Sequence, residues 1–273
     1  MIASLPMYAR ASNRAAHDTL WALIRDRLRS RDIEAPDQLD HDMDHWDSWE
    51  HPDLVLGQIC NLPLRSHFAA RVTPIGAADY GLEGCPAGHY RSHFVVHRDC
   101  AADTPEALFD ARFVLNDTVS QSGYASAQIW AAKHGKAFCA HLETGSHRAS
   151  IAAVANGAGD IASIDAQTWR IEEAENPDTG KLKIIGHTDT SPGMTFITAK
   201  GRDPAPYFAA IQGAIQNLDS QTAQKLGLKS IVTLPSEAYN LLIPSEPVSY
   251  THLRAHETNN SISYAVFCLK TGG

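Results

Sequence analysis

The stretch best suited to chemistry is Ser120-Gln121-Ser122-Gly123, which we call the serine turn. An apolar run, Arg112 to Leu115, precedes it and predicts a strand, and an alanine-rich segment, Tyr124 to His134, follows and predicts a helix. The first N–H groups of a helix have no partner inside it, and the helix dipole leaves partial positive charge there. Such a turn can seat a tetrahedral oxyanion. The alternative is an ordinary helix cap, because serine is a preferred N-cap residue.

Other turns between a strand and a helix are also candidates, because ligands of open α/β folds lie beyond the carboxyl ends of the strands. His147 opens a predicted helix, where it could donate to an oxyanion or cap its own turn. Asp165 follows a predicted strand and could accept a proton from a ligand, or cap its helix. Further polar turns follow other strands: Leu5–Tyr8, Gln58–Asn61 and Thr190–Pro192.

Signatures of an enzyme are weak. Ser122 does not fit the G-x-S-x-G pattern, and no GxxxxGK[ST] phosphate loop occurs in the sequence. Cys60 could pair with a distant histidine, but nothing in its local sequence supports an activated thiol. The five cysteines show no CxxC spacing and the histidines no HExxH. We therefore predict no catalytic residue, no metal site and no cofactor.

Composition limits the partners. The chain has 273 residues, is 44% hydrophobic and carries a formal net charge of −8. It has no cluster of lysine and arginine, which argues against nucleic acid and anionic membranes as partners. No apolar run is long enough to span a membrane, so membrane insertion is not expected. The first residues, Met1 to Pro6, are too short for the apolar region of a signal peptide, so no export signal is predicted.

Strands that alternate with helices predict an α/β fold with mostly parallel sheets. Residues 101–186 form a self-contained series of strands and helices, and the flanking parts could complete another sheet. The predicted division is residues 1–98 plus 190–245 in lobe 1 and 99–189 in lobe 2, with crossings near His97–Asp99 and His187–Gly193. Residues 248–273 lack any helix or strand period and look like a translated transposase adapter, so we predict a non-native tail; the alternative is a genuine disordered tail.

The order of several short motifs resembles the phosphate/phosphonate substrate-binding proteins of ABC transporters over roughly residues 1–245. The motifs that carry this resemblance are the serine turn between strand and helix, Thr144–His147, Val154–Gly157, Asp160–Ala162, Asp165, Thr168-Trp169 and Thr190–Gly193. The resemblance implies a type II periplasmic-binding-protein fold, with two α/β lobes, two hinge crossings and a ligand in the cleft.

By position, the resemblance also implies a ligand site. Ser120, Gln121, Ser122 and Gly123 would hold the phosphoryl oxygens, His147 would add a donor, and Asp165 would face the ligand. The opposite lobe would be lined by tyrosines and an amide: Tyr8, Gln58, Tyr80 and Tyr90. Gln121 is bulkier than the small hydroxyl residue associated with phosphonate binders, which leaves phosphate, phosphite and phosphonate open as ligands.

The function implied is capture of a small oxyanion for a transporter permease, by a monomer that breaks no bond. The family is periplasmic, but the absence of an export signal keeps a cytoplasmic location open. Two other classes are alternatives. One is an enzyme on the same fold, such as a thiamine pyrimidine-precursor synthase, which would need a cysteine-rich or His/Lys catalytic loop. The other is a ligand-sensing module, which a fused DNA-binding or transmembrane segment would support.

Overall fold

The computed structural model describes residues 1–245, which form two compact α/β units. Unit 1 contains Met1–Tyr90 and Thr190–Leu241, and unit 2 contains Arg91–Asp189 together with residues 242–245. The strands are β1 (Ile2–Ser4), β2 (Leu54–Ile59), β3 (Val72–Asp79), β4 (His89–Tyr90), β5 (Ser92–His97), β6 (Phe113–Leu115), β7 (Ala140–Glu143), β8 (Ile161–Asp165), β9 (Leu182–His187), β10 (Ser191–Pro192), β11 (Thr195–Ala199) and β12 (Ser230–Val232).

The α-helices alternate with these strands along the sequence. They are α1 (Arg14–Arg29), α2 (His45–Glu50), α3 (Asn61–Pro63), α4 (Ser126–Lys133), α5 (His147–Ala155), α6 (Ala166–Glu175), α7 (Pro204–Gln216) and α8 (Ser220–Leu226). Two stretches are wound as π-helix, Leu64–Phe68 and Gln121–Ala125. Short 3-10 turns occupy Pro105–Leu108, Pro177–Lys181 and Ser236–Tyr239. No helix of residues 1–245 is both long and apolar enough to cross a membrane.

The sheet of unit 1 has the strand order β1-β2-β11-β3-β12. β1 runs parallel to β2, whereas β11 is antiparallel to both β2 and β3. β2 and β3 therefore point the same way, and the carboxyl ends of β1, β2 and β3 lie at one edge of this sheet. Helix α1 packs on the unit with the buried side chains of Leu20, Ile24 and Leu28, which recur at the period of an amphipathic helix.

The sheet of unit 2 has the order β7-β6-β8-β5-β9. β6 is parallel to both β7 and β8, so these three strands end at the same edge. The segments that follow β6 and β7 carry the serine turn and Thr144–His147, and Asp165 is the last residue of β8. One of the two core clusters on this sheet is largely aromatic: in it, Phe113 and Phe138 stack with ring centroids 4.9 Å apart. Burial of this apolar surface is what fixes the register of the strands that carry the polar turns.

The α/β fold is confirmed, but the prediction of mostly parallel sheets is wrong in detail, because both sheets are mixed. In unit 2, β5 is antiparallel to β8 and β9, and in unit 1, β11 is antiparallel to β2 and β3. These two are the first long strands after the chain enters each unit, after Tyr90 and after Asp189. A strand that enters from outside has no βαβ connection to its neighbours, so nothing in the chain requires it to run parallel.

The unit boundaries differ from the predicted lobe boundaries at two places. Residues 91–98 were expected in lobe 1, but Ser92–His97 pairs with β8 and β9, and the division falls after Tyr90. Tyr90 and Ser92–His97 belong to two separate strands, because β4 pairs with β10 in unit 1. Residues 242–245 group with unit 2, where the Tyr124 hydroxyl donates to the Ser245 carbonyl at 2.6 Å. The predicted tail, residues 248–273, lies outside the described residues.

Candidate functional site

The serine turn is the start of the helical segment that follows β6. Ser120 is the N-cap residue, and its Oγ accepts a hydrogen bond from the Gly123 N–H at 3.1 Å. The turn that follows is a π-helical turn, Gln121–Ala125, which α4 continues. The helix therefore begins earlier than the predicted Tyr124. The sequence left open whether a serine of this turn only caps the helix. Ser120 is the residue that caps it, so Ser122 is available for another role.

Ser122 contacts His147, a residue 25 positions further along the chain. Its Oγ lies 2.7 Å from the imidazole Nε2 of His147 and 3.4 Å from Ser120 Oγ. His147 does not cap its own helix, since Ser146 is the N-cap of α5 and accepts from the Ala149 N–H. The structure thus brings two of the predicted site residues into direct polar contact at the carboxyl edge of the sheet in unit 2.

The backbone around this contact is fixed by hydrogen bonds between neighbouring loops. The Gly145 N–H donates to the Asn116 carbonyl at 2.7 Å, and the Thr144 N–H donates to the Leu115 carbonyl at 3.0 Å. Gly145 has φ of +81°, a conformation that favours glycine. These bonds tie the loop after β7 to the loop after β6, which explains how His147 arrives beside Ser122.

Two further serines, on strands of the sheet in unit 2, support the serine turn. The hydroxyls of Ser92 on β5 and Ser163 on β8 both donate to the main-chain carbonyl of Ser122, at 2.9 and 2.7 Å. Both side chains are buried, and their hydrogen bonds use the backbone of Ser122 while its own hydroxyl points to His147. The turn is therefore preorganised by the sheet beneath it.

Gly123 allows a close approach of two side chains. A Cβ added there would overlap Asn116 Oδ1 and lie 3.2 Å from Cε1 of His147. Asn116 Oδ1 is itself buried and has no hydrogen-bond partner among the described residues. Glycine is thus required at the third position after Ser120, and an acceptor oxygen lies next to the Ser122–His147 contact.

Gln121 and Asp165, the two remaining candidates of unit 2, are both fully buried. The Gln121 side chain turns back along its own helix, and its Nε2 donates to Ser126 Oγ at 2.9 Å. This contact explains how the turn accommodates a long side chain. Asp165 is the N-cap of α6 and accepts from the Thr168 N–H at 2.7 Å, so the capping alternative holds for it. Its strand partner in β5 is Ser92, one of the residues that supports Ser122.

The candidates of unit 1 fall into two places. Tyr8, Gln58 and Tyr80 are buried together: the tyrosine rings meet edge to face at 4.9 Å, and Gln58 Nε2 donates to Tyr80 Oη at 3.4 Å. Tyr90 lies elsewhere, on β4, where it is buried opposite Ser191. Burial lowers the pKa of the Arg65 guanidinium, and Tyr90 and Cys60 oppose this shift only in part.

Sequence reasoning missed several residues that the fold brings to these places: Ser92, Ser163, Asn116 and Arg65. Ser92 and Ser163 looked like ordinary strand residues, since their partner in space is a carbonyl far away in sequence. Arg65 carried a usable signal, because it stands four residues after Asn61 at a predicted helix start. That spacing places two side chains on one helical face, and Arg65 Nη1 indeed donates to Asn61 Oδ1 at 3.0 Å.

Metal chemistry has no candidate ligand set here. Within residues 1–245, no group of three or more His, Cys, Asp or Glu side chains lies close enough to hold a metal ion.

Solved structures with the same fold include binding proteins for phosphorus compounds. PhnD1 from Prochlorococcus marinus (MIT 9301), in complex with methylphosphonate, superposes with a TM-score of 0.64 at 18% identity, covering 88% of this chain and 94% of that one. A binding-protein component of an ABC phosphonate transporter from Pseudomonas aeruginosa gives 0.60 at 16% identity, covering 88% and 82%. XAC2383 from Xanthomonas citri, bound to ATP, gives 0.62 at 16% identity, covering 87% and 92%.

No curated protein matches the chain. The sequence model of one family does match, over residues 65–239, which is more than half of the chain and includes the serine turn, His147 and Asp165. That family is described as the phosphonate periplasmic substrate-binding protein of ABC transporters. The resemblance found in the sequence is confirmed, and the chain belongs to this family of periplasmic substrate-binding proteins for phosphonate ABC transporters.

Proposed function

We propose that this protein binds a small phosphorus oxyanion, namely phosphate, phosphite or a phosphonate, at the serine turn and delivers it to an ABC-transporter permease. The observation that carries the proposal is the 2.7 Å contact between Ser122 Oγ and His147 Nε2 at the start of a helix. Family membership supports delivery to a permease, and the methylphosphonate complex of PhnD1 supports the class of ligand.

The chemistry of this contact suits an acceptor ligand. With a proton on Nε2, His147 donates to Ser122 Oγ, and the serine hydroxyl hydrogen is left to donate to a phosphoryl oxygen. The start of the helical segment adds N–H groups and partial positive charge. Hydroxyl and N–H donors around one point, on a rigid backbone, are the groups that a tetrahedral oxyanion needs.

Asp165 and Asn116 bring acceptor oxygens to the same unit. In our proposal a carboxylate or amide oxygen accepts the proton of a partly protonated phosphoryl group. Such an acceptor also disfavours a fully deprotonated competitor, because two unprotonated oxygens repel each other. This device would select the protonation state of the ligand rather than its organic substituent.

The family supports a periplasmic location, a role that breaks no bond and a permease as the protein partner. We also propose that the protein acts as a monomer and requires no cofactor. Tyr90 of unit 1 is proposed as a further ligand contact, whereas Tyr8, Gln58 and Tyr80, which contact one another inside the unit, are not part of the proposed site. No contact among the described residues favours the thiamine-precursor synthase or the sensing module over transport.

The test is calorimetric titration of the full chain with phosphate, phosphite and methylphosphonate, with acetate as a control anion that lacks phosphorus. We expect one of the three phosphorus compounds to bind with a Kd of about 10 μM or tighter, and acetate to bind at least about 100-fold more weakly. Millimolar or absent binding of all three would contradict the proposal.

A further inference from the structure

The two ends of the segment Arg91–Asp189, which makes up most of unit 2, have no role in the proposed function as stated. The chain enters unit 2 between Tyr90 and Arg91, which we call the first crossing, and it leaves between Asp189 and Thr190, which we call the second crossing. Inside unit 2 the first crossing is continued by β5 and the second is preceded by β9, and these two strands pair with each other.

Thr188 joins the two crossings on the side of unit 2. Its N–H donates to the Ser92 carbonyl at 2.9 Å, and the Ser92 N–H donates to Thr188 Oγ1 at 3.0 Å. In a regular antiparallel ladder the second bond would go to a backbone carbonyl, so here a side chain replaces the backbone. Thr188 Oγ1 itself donates to the Asp189 carbonyl at 3.0 Å, and the residue is 5% exposed. One buried hydroxyl therefore connects the backbones that lead to both crossings.

The register of the paired strands explains why a side chain makes this bond. His93 pairs with His187 in unit 2, and Tyr90 pairs with Ser191 in unit 1. From His93 back to Tyr90 the chain advances three residues, whereas from His187 on to Ser191 it advances four. An extra residue in one strand of an antiparallel pair interrupts the ladder of backbone bonds. The hydroxyl of Thr188 supplies a bond beside this interruption.

Ser92 continues the connection from Thr188 to the serine turn. Its Oγ donates to the Ser122 carbonyl at 2.9 Å, while its own backbone is bonded to Thr188, and it is 1% exposed. A second link is weaker: Lys133, the last residue of α4, forms an exposed ion pair of 2.9 Å with Asp189. Two successive buried steps thus separate Ser122, the proposed ligand donor, from the hydroxyl of Thr188.

We propose that Thr188 is a positioning residue for the serine turn, whose order it links to both crossings through Ser92. Such a link acts in both directions, because a coupling free energy between two places is reciprocal. A ligand held by Ser122 therefore also stabilises the crossings, which slows its own dissociation. This last effect rests on the proposed function, whereas the link between Thr188 and the serine turn requires no ligand.

The first arm of the test measures hydrogen–deuterium exchange of the full chain without ligand. Thr188→Val keeps the shape of the side chain and removes its hydroxyl. We expect the amides of residues 118–125 to exchange at least about fivefold faster than in wild type, the size expected for the loss of one buried hydrogen bond. Thr188→Ser keeps the hydroxyl and should recover most of the protection.

Thr198→Val is the matched control for the first arm. Thr198 is a fully buried threonine of unit 1 whose hydroxyl donates to the Leu54 carbonyl at 3.1 Å. The change should lower the melting temperature but leave exchange at residues 118–125 as in wild type. Equal loss of protection in both valine variants would show general destabilisation and overturn the proposal. Should Thr188→Val not fold, Ser92→Ala cuts the same link one step nearer the serine turn, with the same expected result in both arms.

The second arm measures how fast bound methylphosphonate dissociates, with isotope-labelled ligand chased by an excess of unlabelled ligand. Dissociation from Thr188→Val should be at least about fivefold faster than from wild type, since most changes of affinity within one site appear in the dissociation rate. Thr188→Ser and Thr198→Val should release the ligand at nearly the wild-type rate.

The outcomes separate this inference from the proposed function. Faster exchange at the serine turn together with faster dissociation, in Thr188→Val but not in Thr198→Val, supports both. If wild type binds methylphosphonate and either quantity is unchanged in Thr188→Val, the coupling is wrong and the proposed function stands. If wild type binds none of the phosphorus compounds but Thr188→Val still loosens the serine turn selectively, the proposed function fails and Thr188 keeps its positioning role. Absent binding with unchanged exchange would overturn both.

Discussion

The two units place their predicted ligand residues at the same kind of sheet edge, but they use those residues differently. In unit 2, Ser122 and His147 are joined by one polar contact of 2.7 Å, and the sheet supports that contact through Ser92 and Ser163. In unit 1, Tyr8, Gln58 and Tyr80 contact one another inside the unit. The cavity that Gln58 and Tyr80 line measures about 10 Å³ and has otherwise mostly apolar walls, so it has room for about one water molecule.

This difference shows that position at the carboxyl edge of a sheet does not by itself make a binding site. What distinguishes unit 2 is that separate residues satisfy the backbone of the serine turn, which leaves side-chain donors for a ligand. In unit 1, the aromatic rings and the amide satisfy each other. Asn61 Nδ2 and Ser191 Oγ of unit 1 are buried and have no hydrogen-bond partner among the described residues, and neither belongs to that group.

The largest effect that would test this comparison is expected from Gly123→Ala. The added methyl group would overlap Asn116 Oδ1 and crowd His147, so the serine turn must move. We expect the affinity for methylphosphonate to fall at least about 100-fold, or about 2.7 kcal/mol of binding free energy. Calorimetry measures the loss.

Gly180→Ala is the matched control for this change in unit 2. Nothing lies within 4 Å of the Cβ position at Gly180, so the affinity should stay at the wild-type value. Wild-type affinity in Gly123→Ala would show that the close approach at this glycine does not matter for binding.

Acid should destabilise unit 2 through His93, whose Nδ1 lies 2.8 Å from Nδ1 of His187. Burial first, and then the charges of His187 and Arg91, lower the pKa of His93 to about 4. In the unfolded chain, where the pKa of a histidine is about 6.5, this imidazole takes up a proton at a higher pH than in the folded protein. The free energy of unfolding therefore keeps its full value above about pH 6.5 and falls by on the order of 1–3 kcal/mol as the pH drops towards 4.

Denaturant unfolding at several pH values measures this dependence. His93→Gln should remove the part of the acid sensitivity between pH 6.5 and 4, whereas His67→Gln, at an exposed histidine of unit 1, should leave it unchanged. Equal pH dependence in wild type and His93→Gln would rule out this residue as the source.

A smaller effect should distinguish the helix caps of the two units. Asp165→Ala removes the acceptor for the Thr168 N–H and should lower the free energy of unfolding by about 1–2 kcal/mol. Asp219→Ala removes an exposed cap at α8 and should cost less. Asp165→Asn keeps an acceptor and should recover most of the stability, so any remaining loss of phosphonate affinity reports the carboxylate charge. Equal stabilities of the three variants would contradict the assigned role of Asp165.

The smallest effect is expected from Tyr80→Phe, which removes the partner of the Gln58 amide. The free energy of unfolding should fall by about 1 kcal/mol, as for one hydrogen bond, and the phosphonate affinity should change less than about twofold. A tenfold loss of affinity with unchanged stability would show instead that Tyr80 contacts the ligand, and the contrast between the units would no longer hold.

Most of the local structure could be predicted from the sequence, because it depends on residues that are neighbours in the chain. The apolar runs of β6 and β8 and the caps Ser120 and Asp165 are readable from adjacent residue types. The π-helical turn after Ser120 was not, since a strand-to-helix pattern does not distinguish a π-turn from an α-turn.

Contacts between residues that are far apart in the sequence could not be predicted from local sequence patterns. Nothing near Ser122 indicates that the hydroxyls of Ser92 and Ser163 would meet its carbonyl, because this depends on the strand order in unit 2. The direction of β5 and β11 was missed for the same reason, since apolar pattern does not encode which way a strand runs. Family resemblance supplied the position of His147 beside the turn, which composition and periodicity could not.

The most direct test of the account is the binding of methylphosphonate to Ser122→Ala, measured by calorimetry beside wild type. Removing the hydroxyl that contacts His147 should cost about 1–3 kcal/mol of binding free energy while the protein stays folded. Ser30→Ala, at an exposed serine of unit 1, should bind as wild type does. If Ser122→Ala also binds methylphosphonate with wild-type affinity, the serine turn is only a helix cap and the proposed site is wrong.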